Sequence, residues 1–137
     1  MTSAYGTEAI WDIFDESIVT FTGLDGSSVR YGSDANPYPE PLFGITAWNP
    51  GEERPHEENV AANERLKAHL TQSAIRFVDA EGASPDGTWN EPGYVLIGTD
   101  RATAVAVARE FGQLAIHEMA NGVLRVVKSA GNSDTTT

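Results

Sequence analysis

Cysteine is absent from the whole chain, which excludes disulfides, thiolate metal sites and a Cys–His nucleophile. A chain of 137 residues can do without such staples. At this size a globule buries roughly two-thirds of the surface its unfolded form exposes, and the length is usual for one domain. No run of about 18 apolar residues occurs, so nothing reads as a membrane-spanning helix. Met1 to Ile10 has neither a basic nor an apolar stretch and does not read as a signal peptide. The cytoplasm is the expected compartment.

Positive charge is scarce. Nine Lys and Arg face twenty Asp and Glu, for a net charge of −11 and an isoelectric point near 4.5. The deficit is uneven: residues 1–66 carry 12 acids and 3 bases, residues 67–137 carry 8 and 6. The first half would repel a phosphate backbone and the second has no cluster of bases to compensate, so no nucleic-acid partner is expected. Anionic membrane surfaces are disfavoured for the same reason. Several catalytic signatures are missing too. There is no Gly-x-x-x-x-Gly-Lys-Ser/Thr, no Gly-x-Gly-x-x-Gly and no Gly-x-Ser-x-Gly. His56, His69 and His117 are scattered without His-x-x-x-His spacing, so neither a catalytic zinc nor another cofactor is expected.

The pattern that is present predicts an α+β domain. Ile10, Ile13 and Phe14 recur at helical spacing and predict a helix over 8–16, with Thr7 as its N-cap. The β-branched run 17–22 predicts a strand, Leu24-Asp25-Gly26 a turn, and 29–31 a short second strand. Residues 32–41, with Pro37, Pro39 and Pro41, read as irregular connection. A buried strand is predicted over 42–48, ended by Asn49-Pro50-Gly51. A helix over 57–72 follows, with Glu57 and Glu58 favourable in its first turn, then a strand over 74–78. This strand–helix–strand order permits a parallel pair with a right-handed crossover.

Residues 79–92 are rich in Gly, Pro, Ser and Asp and read as a loop before a strand over 93–97. Asp100 predicts the cap of a helix with the apolar stripe Ala104, Val107, Ala108 and Phe111, ended by Gly112. The last signal is a hairpin of 113–120 and 123–128 around Asn121-Gly122. That turn pairs Ala120 with Val123, Ile116 with Val127 and His117 with Val126, and places Glu118 opposite Arg125. Residues 129–137 have nothing to bury and are expected to form a disordered tail to a single domain of residues 1–128. The sum is a mixed, largely antiparallel sheet of five or six strands with two or three helices packed on it.

Amide and aromatic side chains gather at the junctions of these elements. Asn59, Asn63, Leu66 and Leu70 share one helical face, so the two amides continue the inward face of the leucines. Trp48-Asn49-Pro50 closes the preceding strand, a place where open α/β sheets hold ligands. Trp89-Asn90-Glu91-Pro92 leads into the strand over 93–97, and a closed loop there would desolvate Glu91 as a general acid or base requires. Gln113 follows Gly112 and either lines a pocket or bonds local backbone. Local roles compete at each position: helix-start asparagines cap backbone groups, Asn49 before Pro50 makes a turn, and Glu91 can be an ordinary loop carboxylate.

Four segments carry a likeness: Thr46-Ala47-Trp48-Asn49-Pro50; Glu58-Asn59 with Asn63 and Leu66; Gly87-Thr88-Trp89-Asn90-Glu91; and Ala108 with Phe111-Gly112-Gln113-Leu114-Ala115. In that order and spacing the chain resembles a bacterial family of uncharacterised proteins, domain-of-unknown-function family 3293, over about residues 42–128. That family usually has a serine shortly after the motif Glu and often one at the start of the first central helix. Here those places hold Pro92-Gly93 and His56. The resemblance implies a shared domain and highlights Trp48, Asn49, Asn59, Asn63, Glu91 and Gln113. It implies no reaction.

Three functional readings stand open. The first is a pocket for a small polar ligand, such as a planar base or amide, lined by Trp48, Asn49, Asn59, Asn63, Trp89, Glu91 and Gln113. The second is a metal-independent hydrolase with Glu91 as general base and the amides as oxyanion donors. The third is a protein–protein interaction module whose acidic N-terminal half steers a basic partner.

Overall fold

The computed structural model describes residues 17–49 and 53–129. The helix expected over 8–16, part of the turn at Pro50-Gly51 and residues 130–137 of the expected tail lie outside them. The described elements are β1 (Ile18–Thr22), β2 (Ser28–Arg30), β3 (Leu42–Ile45), α1 (His56–Gln72), β4 (Arg76–Ala83), β5 (Asn90–Ile97), α2 (Arg101–Glu110), β6 (Ala115–Ala120) and β7 (Val123–Lys128). The strands form one sheet in the order β2-β1-β4-β5-β3-β6-β7. Its strands number seven, not five or six, and every pairing is antiparallel, so the sheet is not mixed.

Two expectations change for identifiable reasons. The strands flanking α1 do not pair with each other, because β5 lies between them and is antiparallel to both. The loop expected over 79–92 is mostly strand: β4 runs to Ala83, β5 begins at Asn90, and Ala83 pairs with Asn90. Alternation supports this extension. Val78 and Ala80 pack into one core while Asp79 and Glu81 take the other face. The first residues of the strand expected over 74–78 end the helix instead. Ala74 takes a left-handed conformation (φ 58°), and the next N–H, of Ile75, donates to Leu70 O at 3.0 Å.

Sheet alternation makes two cores. Phe43, Ile45, Tyr94, Leu96 and Ile116 face the helices and meet Leu66 and Leu70 of α1 and Ala104, Val107 and Ala108 of α2. On the opposite face Val19, Phe21, Leu42, Val95, Ile97 and Met119 form the second core, joined by Val29 and Tyr38. The sheet curls around it. A side chain added at Gly44 of β3 would touch Val19 of β1, although β4 and β5 separate those strands along the sheet. Asp100 caps α2 as expected, accepting from Thr103 N–H at 2.8 Å.

The terminal hairpin has the expected register, from Ala115↔Lys128 to Ala120↔Val123, with both turn residues at positive φ. Glu118 lies opposite Arg125, but its carboxylate takes Arg101 Nε at 2.6 Å. Glu118 sits on the helix-facing side, where α2 begins, so a cation from the helix reaches it.

Glu40 fastens the tip of this hairpin to the connection before β3. Asn121 N–H donates to Oε1 at 2.6 Å, while Tyr31 Oη and Asn36 Nδ2 donate to Oε2 at 3.0 and 3.1 Å. Burial pushes this carboxyl up, yet those donors outweigh it and hold its pKa below the ordinary value. A carboxyl depressed in the folded state stabilises above its unfolded pKa and loses that contribution as pH falls through the folded one. Glu40→Gln should therefore lower the melting temperature at neutral pH. The gap to wild type should close as the solution is acidified from about pH 4.5 downward. A gap that is the same at pH 3 and pH 7 would contradict this.

Candidate functional site

β3 parts from β5 after Ile45, and the amides gather at the parting. Continued by two residues, the β3–β5 register would set Ala47 against Pro92. The carboxamide of Asn63 stands between them: Oδ1 accepts Ala47 N–H at 2.8 Å and Nδ2 donates to Pro92 O at 2.9 Å. One side-chain amide thus takes the place of a rung of the ladder. Thr46 Oγ1 reinforces the joint, donating to Pro92 O at 2.6 Å and accepting Trp48 N–H at 3.0 Å. Gln113 Nε2 donates to Trp48 O at 3.1 Å. Asn59 Oδ1 accepts Asn49 N–H, and its Nδ2 donates to Asn49 Oδ1, both at 2.8 Å. Asn49 can present its groups this way because it sits at φ 45°, a region asparagine tolerates.

Three buried amides from three places in the chain therefore clamp the backbone of residues 47–49. Tyr94 Oη extends the network to Asn63 O at 3.2 Å. Burial holds this phenol above its ordinary pKa, with Glu64 and Asp79 adding to the rise, so it remains a donor. The amides meet the expectation of an inward helix face, and the partners they find there are main-chain groups of the clamped segment and of Pro92, with the Asn49 and Thr46 side chains beside them.

Glu91 lies across the sheet from them. It alternates with Val95 and Ile97 along β5, so it belongs to the face away from the helices. A cleft of about 50 Å³ opens on that face. Its base is made of small residues on four strands: Ala80 and Gly82 of β4, Gly93 of β5, Gly44 of β3 and Ala115 of β6. Glu91, only 6 % exposed, stands at one wall with Trp89, and Thr46, Gln113 and His117 complete the far side. Glu81 and Val19 edge it.

The residues singled out in the sequence thus divide. Trp89, Glu91 and Gln113 line this cleft. Asn59 and Asn63 belong to the other side of the sheet, and the convergence of those amides with Glu91 on one cavity does not occur. Trp48 and Asn49 form the segment between the two sets, with the Trp48 ring edge-on to His56 at 5.4 Å. Thr46, Gly82, Gly93 and His117 were not singled out. For Gly82, alternation with Val78 and Ala80 was the available signal. Among the described residues no group of three or more His, Asp or Glu side chains is placed to hold a metal ion. No described helix is long and apolar enough to cross a membrane.

Comparison with curated proteins and with solved structures gives no match. The family "Protein of unknown function (DUF3293)" matches residues 45–116, which run from the end of β3 through both helices to Ile116 of β6. This span includes the clamped 47–49 segment, all three clamping amides and most of the cleft. The chain belongs to this family of proteins of unknown function.

Proposed function

We propose that the chain binds a small polar ligand in the cleft on the sheet face away from the helices. One observation carries the reading. Gly82 lies within β4 with no positive φ, and a Cβ built there would meet no described residue within 4 Å. Glycine in a strand costs about 0.5–1 kcal/mol relative to alanine. Neither backbone conformation nor crowding by the described residues requires it at this position; what a larger residue would remove is the cleft. Gly82 pairs with Glu91 on one side and Val19 on the other, so the absent side chain leaves its space beside a buried carboxylate.

In this reading the seven expected site residues narrow to Trp89, Glu91 and Gln113, with Thr46 and His117 added. Asn59 and Asn63 serve it indirectly, by fixing the segment that carries Thr46 and receives Gln113. A thermal-shift screen of small polar metabolites against wild type and Gly82→Val tests the proposal. The variant should be at least as stable as wild type, because valine suits a strand and fills open space. Ligands that raise the wild-type melting temperature by mass action should leave the variant unmoved. Equal shifts in both proteins would place binding elsewhere and overturn the reading.

A further inference from the structure

We infer that Asn121-Gly122, at the tip of the β6–β7 hairpin, is a site of spontaneous deamidation that Tyr31 and Glu40 hold in check. It is the one Asn-Gly pair in the chain, and both residues are exposed. The feature that suits the pair to a tight turn also makes it reactive. Glycine has no side chain to shield its nitrogen, so that nitrogen can reach the carboxamide of the asparagine before it. After losing its proton to hydroxide, Gly122 N attacks Asn121 Cγ. The N–Cγ bond forms, the Cγ–Nδ2 bond breaks, and ammonia leaves with a proton from water. A water molecule then opens the cyclic imide at either carbonyl and leaves aspartate or isoaspartate at position 121.

The fold opposes the first step. Gly122 N–H donates to Tyr31 Oη at 3.0 Å, and the same hydroxyl donates to Glu40 Oε2 at 3.0 Å. Asn121 N–H donates to Glu40 Oε1 at 2.6 Å. Both main-chain donors of the turn are thus occupied. An N–H held by an acceptor that is itself anchored on a carboxylate gives up its proton less readily, and the carboxylate disfavours a second negative charge beside it. Burial, followed by the bond to Glu40, raises the Tyr31 pKa, so the phenol stays protonated in mildly alkaline solution. Ring closure also turns the 121–122 peptide unit about the Asn121 Cα–C bond, which takes Gly122 N–H away from Tyr31. Both products place a new carboxylate next to Glu40. Isoaspartate also lengthens the turn that sets the β6–β7 register, so the modified hairpin loses its tie to the connection before β3.

Mass spectrometry of the full chain, incubated in mildly alkaline buffer and digested at intervals, tests the inference. A synthetic peptide of residues 118–125 gives the rate without the guard. Wild type should modify residue 121 about tenfold more slowly than the peptide, or slower still. Tyr31→Phe removes one hydroxyl and should speed the folded chain about fivefold. Glu40→Ala, which releases Asn121 N–H and lets Tyr31 turn away, should speed it by at least as much. Asn63→Leu weakens the fold at a distance from the hairpin tip and should leave the rate at residue 121 close to that of wild type. Wild type reacting as fast as the peptide overturns the inference, and so do Tyr31→Phe and Glu40→Ala reacting at the wild-type rate. If Asn63→Leu speeds residue 121 as much as Tyr31→Phe does, the protection belongs to the fold as a whole and the role of Tyr31 and Glu40 falls.

Discussion

Asn63→Leu is expected to destabilise the fold by about 3 kcal/mol, because it leaves a buried main-chain donor without its acceptor. Asn63 is 7 % exposed and holds two strands together through one carboxamide. Leucine fills similar space but can neither accept from Ala47 N–H nor donate to Pro92 O. Pro92 O keeps Thr46 Oγ1 as a donor, so the loss falls mainly on Ala47, which is 1 % exposed. An unsatisfied buried donor costs roughly 1–3 kcal/mol, and the lost Nδ2–H bond adds about one more. For a domain of this size that corresponds to a fall of about 10 °C in melting temperature. Asn59→Leu should cost less, since Asn49 is only half-buried. Both amides hold the same 47–49 segment, so the double variant should cost less than the sum of the singles. Denaturant unfolding of the three variants measures this. A loss under about 0.5 kcal/mol for Asn63→Leu would mean that the segment holds its place without the clamp.

The signals that could be read in the sequence were those complete within a short stretch. Asn121-Gly122 sets both turn conformation and pairing, so the β6–β7 register follows from residues a few positions apart. Asp100 and the Ala104, Val107, Ala108 stripe likewise define α2 locally. The order of the sheet depends on something else. β5 inserts between β4 and β3, and nothing within those segments names its neighbours. Glu118 illustrates the same limit. Its opposite residue follows from the turn, but its ion-pair partner comes from α2, seventeen positions away. The amides were legible as an inward face, since helical spacing alone places Asn59 and Asn63 with Leu66 and Leu70. What they would meet was not, because a carboxamide serves a backbone and a ligand with the same two groups. The cleft was hidden most fully. It is formed by side chains that are missing, and glycines in 79–93 read as loop until the strands around them are known.

Gly93→Ala should produce the opposite sign from a substitution at Gly82, although both glycines lie in the base of one cleft. A Cβ at Gly93 would run into Ile45 O and approach Thr46 Cβ at 2.9 Å. Neither neighbour is the far end of a flexible side chain. Ile45 pairs with Tyr94, and Gly44 just before it pairs with both β5 and β6, so β3 is held from two sides. Thr46 is anchored to Pro92 O, one residue from the new methyl group. Relief requires β3 and β5 to move apart where Asn63 bridges them, which stretches the clamp as well. Overpacking of this kind typically costs 1–3 kcal/mol and occasionally more, and the rigid contacts here favour the upper end, about 3 kcal/mol. Gly82→Ala meets no described residue and reduces the conformational freedom of the unfolded chain, so it should stabilise by about 0.5–1 kcal/mol. Thermal and denaturant unfolding of the two alanine variants side by side makes the comparison, with one added methyl group in each. If Gly93→Ala proved as stable as wild type, β3 and β5 would have to stand farther apart than these contacts allow. If instead Gly82→Ala were the damaging change, the space beside Glu91 would already be filled, and the cleft would lose the observation that carries it.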